Sequence, residues 1–570
     1  MVVMVSEREN TMETLDSSTG VNQRKANTSG QARRRERWIH WLLLLGSIAL
    51  VCIVAARDLR VGEFDYNVDE AQHAVTGLFV SDAFRDLPIR HPVQYAFRYY
   101  AQYPAVAILH WPPLFYIVEG LSFLLLGPSV VSARISVLFF CVLLLYQWYR
   151  LIEESLDSYT AEICTAVLGL LPMLLLFEKS VMLEIPSLAL GVAAIRHWIA
   201  YLEQNQRRSL YFSALWLSAA LLCKQTSIYL LVFCGLTLLI TGQWKRIFSR
   251  DAAIFAGIVG ILAGPCLTLM LFVQGKAVVN DLGSYRMNSW ERITYYSLML
   301  PTSVPPILLV LALLGAALAF RWDSPKRTAI MGCWLLAGYA TFSWFGQREP
   351  RFAVYWLPPL VYFAVGFMTR FFRSGPFRIG MRVAAAGLIF ILLIPALRYQ
   401  RPYISGYKEA ASRVVKGYDS GVILFDGPVP GNFVFFLRAL DPGRRFVVLR
   451  KVLYADDIRQ SAGSEELLHS REEILNAFQE YGVRVAVVSQ NLGVRFDSQR
   501  VLRAELSSDD FTLVQRFPIV TNESHWQGEN LLLYEKRNWS PPTGGSLKIR
   551  MLTLSHDIEI PLTELTTKKH

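Results

Sequence analysis

The chain has 570 residues, 53% hydrophobic and 18% charged, with a formal net charge of +11 and a mean hydropathy of +0.31. A soluble domain carries about 25% charged residues, so this composition excludes an ordinary soluble globular protein and indicates a polytopic membrane protein. The cationic surplus is then a matter of membrane sidedness, and no nucleic-acid partner is expected.

Residues 1–38 are polar, end in "ARRRER" and are expected to form a disordered basic tail on the cytoplasmic side. The run from Trp38 to Ala56 is long enough to span a bilayer and is followed by no small-residue cleavage site, so it reads as an anchor. Further apolar runs cover about 133–151, 161–177, 186–202, 210–222, 226–241, 252–274, 304–320, 328–345, 353–369 and 383–397, which gives about eleven transmembrane helices. The segment "WPPLFYIVEGLSFLLLG" (111–127) is expected to lie at the interface instead of spanning. With that parity and a cytoplasmic N-terminus, four inner loops hold 12 Lys/Arg in 39 residues, against 7 in 46 for the short outer loops. Such a bias is what the positive-inside rule demands. The loop 57–132 and everything beyond about 398 are then extracytoplasmic. A bacterial plasma membrane is the expected location, or the endoplasmic reticulum membrane in a eukaryote.

The segment 398–570 is expected to be a soluble α/β domain that follows the transmembrane domain, 39–397. "GVILFDG" (421–427), "RFVVLR" (445–450) and "VRVAVVS" (483–489) are β-rich runs, and the helical pattern "SREEILNAFQEYG" precedes the third. The seven cysteines lie in or beside apolar segments without a CxxC pair, so neither a zinc site nor a disulfide framework is expected.

Charges at helix ends on the outer side carry the chemical information. Asp69 and Glu70 stand in "GEFDYNVDEAQHA", Glu184 in "EKSVMLEIPSLAL", Lys224 in "ALLCKQTSIYLL", and Arg348 and Arg351 in "FGQREPRFAVYWLPPL". Each alone reads as a solvated or snorkelling charge, but six on one face of the membrane can share a cavity. Asp65 is read as ordinary loop charge. Sugar transfer from a lipid phosphate needs a base for the acceptor hydroxyl and fixed cations for the phosphate leaving group. One carboxylate and a small cationic cluster at the lipid–water boundary meet both needs.

The order of these features resembles the multi-spanning glycosyltransferases of the GT-C fold. The nearest branches are the protein O-mannosyltransferase-like enzymes and the lipid A aminoarabinose transferases. Asp69-Glu70 matches the acidic pair of the first outer loop, and "GPSVVSARISVLF", with Arg134, matches the opening of the next span. Lys224, Arg348, Arg351, Phe352 and Pro358-Pro359 match further elements. The chain departs at His110, which Trp111 separates from Pro112-Pro113, and at Glu184, where the family usually has an aspartate before a proline. The resemblance covers about 39–370. It implies a membrane glycosyltransferase (hexosyl or pentosyl) that takes a polyprenyl-phosphate sugar to a lipid, glycan or protein acceptor by inverting single displacement. Asp69 would be the base, Glu70 and Glu184 would position or assist, Lys224, Arg348 and Arg351 would hold the phosphate, and His110 is a further substrate-binding candidate. Tyr285 and Trp290, in the loop 275–301, are candidates to stack on the sugar beneath a lid. No spacing of carboxylates with His73 or His110 specifies a metal, so no cofactor is expected and a divalent ion is not indicated. A membrane transporter and a non-enzymatic envelope scaffold are the rival readings.

Overall fold

The computed structural model of the chain describes residues 38–65, 67–273, 289–345, 348–371, 377–456, 463–542, 545–552 and 557–566. The expected N-terminal tail, apart from Trp38, lies outside the described residues. Helix α1 (Trp38–Ala56) leads into a connecting segment, which forms α2 (Val68–Asp86), α3 (Pro92–Gln102) and α4 (Leu114–Leu126). The body continues through α5 (Val130–Ser155), α6 (Ser158–Gly169), α7 (Pro172–Glu178), α8 (Glu184–Gln204), α9 (Arg207–Cys223) and α10 (Tyr229–Ile240). Next come α11 (Arg250–Leu262), α12 (Gly264–Val273), α13 (Ser289–Ser303), α14 (Pro306–Ala317), α15 (Pro325–Trp344), α16 (Leu357–Gly366) and α17 (Phe377–Arg398). A 3₁₀ turn, Pro350–Trp356, runs directly into α16.

Every one of the eleven apolar runs falls on a helix or a bent pair of helices. Five helices are long and apolar enough to cross a membrane alone, or up to seven if α6–α7 and α11–α12, bent by 69° and 53°, each count once. The first bend falls at Pro172, which lacks the N–H a continuing helix would need. Helix α4 has 13 residues, about 20 Å of rise against a hydrocarbon core of about 30 Å, and it packs along α2. Helices α5, α8 and α16 are mostly enclosed by protein, while α1 and α17 leave most of their surface exposed, as lipid-facing helices do.

Close helix approach is set by glycine at one crossing. A Cβ on Gly315 of α14 would collide with the backbone carbonyl of Phe363 in α16, whereas one on Gly332 of α15 meets nothing within 4 Å. Gly315→Ala is expected to cost about 1–3 kcal/mol of stability, because backbone cannot move aside as a flexible side chain can. Gly332→Ala should be neutral or slightly stabilising. Thermal unfolding of the two variants in the same detergent checks this, and equal midpoints would refute it.

Beyond α17 the chain forms a five-stranded sheet with β1 (Gly421–Asp426), β2 (Phe446–Leu449), β3 (Val483–Ser489), β4 (Phe511–Pro518) and β5 (Asn530–Lys536). The order is β2-β1-β3-β5-β4, parallel through the first three strands and antiparallel at β5 and β4. Strand alternation sends Ile423, Phe425 and Val487 into one core and Val422, Leu424 and Val488 into another. The second core is closed by α20 (Arg471–Glu480) and α21 (Asp497–Leu506). The first is continuous with the membrane helices through α18 (Tyr407–Gly417) and α19 (Pro430–Leu440). Phe64 meets Phe435 edge-on at 4.9 Å. The Glu63 carboxylate accepts the N–H groups of Gly406, Tyr407 and Lys408 at 3.0–3.1 Å, which caps α18. The connecting segment therefore lies between the membrane helices and the α/β domain, bonded to both.

Candidate active site

The Asn67 side chain accepts the Asp69 N–H at 3.2 Å and starts α2, so Asp69 and Glu70 occupy its first turn, where the helix dipole favours anions. Successive helical residues point about 100° apart, and the two carboxylates have different surroundings. Asp69 reaches Arg351, in the 3₁₀ turn before α16, at 2.7 Å. Arg351 also contacts Glu349 at 2.5 Å and lies 3.7 Å from Glu184, the first residue of α8. Lys224, in extended conformation just past α9, places Nζ 2.5 Å from Glu184. Asp69, Arg351, Glu184 and Lys224 thus form one chain of alternating charge. Burial pushes the Asp69 carboxyl up, but Arg351 and its other charged neighbours more than offset this and hold it below the usual carboxylate range, ready as an anion.

Glu70 points inward. It is fully buried, accepts two bonds from Arg401 at 2.9 and 3.1 Å, and takes the N–H groups of Val181 (3.0 Å) and Asp65 (2.5 Å). Arg134 lies 3.9 Å from it and donates to the carbonyls of Asp58, Leu59 and Val61 at 2.8–3.2 Å.

Next to Arg351 and Glu349 opens a cavity of about 430 Å³, with Asp65 and Asn67 on its polar side and Met173, Leu176 and Phe177 on its apolar side. A second cavity of about 440 Å³, lined by Leu175, Ile394 and Pro395, shares Pro172 and Tyr399 with it. Together they make an apolar path from the charged chain along the bend before α7 to the lipid-facing helix α17.

A sequence model of the dolichyl-phosphate-mannose-protein mannosyltransferase family matches residues 110–268, which include Glu184 and Lys224 but neither Asp69 nor Arg351. No curated protein matches the chain. Among solved structures, ArnT from Cupriavidus metallidurans bound to undecaprenyl phosphate superposes with a TM-score of 0.58 at 14% identity, covering 86% of this chain and 99% of that one. Its apo form gives 0.59 at 13%, covering 86% and 97%. The chain has the GT-C fold. Since the first 397 residues are less than three quarters of the chain, this GT-C match takes in part of the α/β domain as well, beyond the stretch the motifs covered.

Of the residues expected from sequence, the GT-C scaffold brings together Asp69, Glu184, Lys224 and Arg351, with Arg348 just before the same turn. Asp65, set aside as loop charge, lines the cavity. His110 lies edge-on to Trp111 at 4.3 Å, and its carbonyl is 3.5 Å from the Gln225 amide. Of the expected lid loop 275–301, the part from Ser289 onward is helix α13, with Trp290 exposed on it, whereas Tyr285 and the rest of that loop lie outside the described residues. Among the described residues, no three His, Cys, Asp or Glu side chains gather as a metal site.

His73 is the residue whose place at the site the sequence reading missed. One helical turn after Asp69, it is buried, with Nδ1 2.7 Å from the Tyr116 hydroxyl and its ring 4.3 Å from that of Trp111. The i,i+4 spacing from Asp69 was the available signal. Burial pushes its pKa down from 6.5 to about 3, so the ring is neutral. The unfolded chain binds the proton first as pH falls, so stability present above 6.5 is lost between 6.5 and 3, by about 1.4 kcal/mol per unit at full slope. His73→Asn keeps a polar group near Tyr116 and is expected to flatten the fall in unfolding temperature between pH 7 and pH 5. Parallel curves for both proteins would contradict this assignment.

Proposed function

We propose that this chain transfers a sugar from a polyprenyl-phosphate donor to an acceptor hydroxyl on the extracytoplasmic side of a plasma membrane, with inversion. The observation that carries the reading is the junction of the alternating-charge chain with the apolar path. One end can seat a phosphate on Arg351, and the other can seat a prenyl tail.

In this mechanism the acceptor oxygen attacks the anomeric carbon as the carbon–oxygen bond to the phosphate breaks. The hydroxyl proton passes to Asp69, and the leaving polyprenyl phosphate keeps the electron pair. Arg351 offers a planar fork to its oxygens and Lys224 a point charge. Glu184 keeps both cations in place while the donor is absent, and Arg348 is close enough in sequence to complete the phosphate pocket. Glu70 acts as a positioning residue through Arg401.

The test is transfer by purified protein in vesicles, given radiolabelled polyprenyl-phosphate sugars with envelope lipids, glycans and peptides as acceptors. Product with inverted anomeric configuration supports the proposal. Uptake of a solute with no transfer from any donor would favour the transporter reading and overturn it.

A further inference from the structure

A third cavity, of about 360 Å³, opens far from the charged chain, where the end of α2 meets α3, the turn after α19 and the short C-terminal helix Leu562–Thr566. It lies about 25 Å along α2 from Asp69, at 1.5 Å per residue. Four arginines, Arg85, Arg98, Arg438 and Arg444, face three carboxylates, Asp82, Asp86 and Glu564. Their duties differ. Arg438 is spent on docking the two layers, through Asp82 at 2.5 and 2.8 Å and the Asp441 carbonyl at 3.0 Å. Arg444 binds Asp86 and Asp82. Arg98 meets Glu564 with one terminal nitrogen, and its buried Nε has no hydrogen-bond partner. Arg85 stands exposed on the rim. The surplus positive charge is therefore at the mouth.

That mouth is bordered by apolar side chains facing outward. In "FRDLPIRHPV" (84–93), Phe84 is 40%, Leu87 64%, Ile89 82% and Val93 64% exposed. By contrast, the described residues beyond 398 contain only three exposed large apolar side chains, and one of them, Leu440, ends α19 beside this cavity. Leu87 takes a left-handed conformation and Pro88 stops the helix, which turns the segment outward. Three contacts in step, Tyr116 with His73, Glu119 with Gly77 and Gly120 with Val80, show that α4 runs parallel to α2. The end of α4, with Leu125 83% exposed, is thus beside the same patch, and α5, a helix long and apolar enough to cross a membrane, starts four residues later.

We infer that this cleft binds the phosphodiester headgroup of an anionic membrane lipid while the 84–93 turn sits at the headgroup–acyl boundary. Guanidinium forks fit phosphate oxygens, and apolar residues interleaved with arginines suit that depth. This site is independent of the reaction proposed above.

The full-length protein in mild detergent, offered phosphatidylglycerol and phosphatidylcholine together, is to be assayed for retained lipid by native mass spectrometry. Wild type should retain phosphatidylglycerol about tenfold over phosphatidylcholine, and Arg85→Ala/Arg98→Ala should erase the preference. Arg85→Ala alone, which removes an exposed rim side chain, should weaken it with the unfolding temperature unchanged. Equal retention by wild type and the double variant, or no preference in wild type, overturns the proposal. Displacement of the lipid by an equal concentration of glycerol 3-phosphate would instead make this a soluble phosphate site and defeat the lipid assignment. In vesicles, Leu87→Trp should be quenched by brominated phosphatidylcholine, and an unquenched signal would refute the seating of the turn.

Discussion

Replacing Asp69 by Asn is expected to lower the turnover of sugar transfer by about 10²- to 10⁴-fold, the range a positioned general base supplies, with the fold intact. Asn has the shape of Asp and retains an oxygen for the 2.7 Å bond from Arg351, so the geometry around the turn before α16 should persist. What it lacks is a group able to take the acceptor's proton. The substitution also removes one of the three carboxylates that share Arg351. A donor phosphate must compete with those carboxylates for the same guanidinium, so donor KM should fall or stay level as turnover collapses. The combination is diagnostic. Initial rates in vesicles across donor concentrations, beside an unfolding curve, measure it. Turnover within a few-fold of wild type in a well-folded variant would remove Asp69 from the role of base. A rise in donor KM with unchanged turnover would make it a binding residue only.

How much of this could be read beforehand depends on the range of the interaction. Apolar runs are local, and all eleven became helical. The β-rich runs at 421–427, 445–450 and 483–489 are equally local and became the parallel strands of the sheet. Asp69-Glu70 looked like one functional pair because adjacency in sequence hides the 100° turn between neighbours on a helix. Once α2 forms, one carboxylate meets Arg351 at the edge of the cavity and the other faces the protein interior. The partner of Glu70 is Arg401, 331 residues away. No periodicity announces such a contact. The same holds for Asp82 with Arg438, so the cleft between α2 and the α/β domain was invisible in sequence. That Asp65 lines the cavity was hidden for a related reason: the residues it shares it with, Met173 of α7 and Tyr399 just past α17, are distant in sequence.

The largest expected loss of stability follows from the inward carboxylate. Arg134 and Arg401 are both fully buried, and among the described residues the one carboxylate within 4 Å of either is that of Glu70. Arg134 gathers the carbonyls at the end of α1, and Arg401 also donates to the Glu63 carbonyl at 2.8 Å, while Glu63 itself caps α18. Glu70 therefore neutralises the point at which α1, the connecting segment and the α/β domain are tied together. Glu70→Gln preserves volume but leaves two buried guanidinium charges uncompensated, which is expected to cost about 3–5 kcal/mol. Replacing both partners, Glu70→Met with Arg401→Met, should recover part of that loss, because the charge and its counter-charge leave together. Unfolding temperatures of the two single variants and the double variant form the cycle that measures the coupling. A positioning role further requires that transfer fall in step with the population of folded protein, with donor KM and pH profile unchanged in what remains folded. A Glu70→Gln protein as stable as wild type but inactive would reverse the assignment and place Glu70, rather than Asp69, in the chemistry.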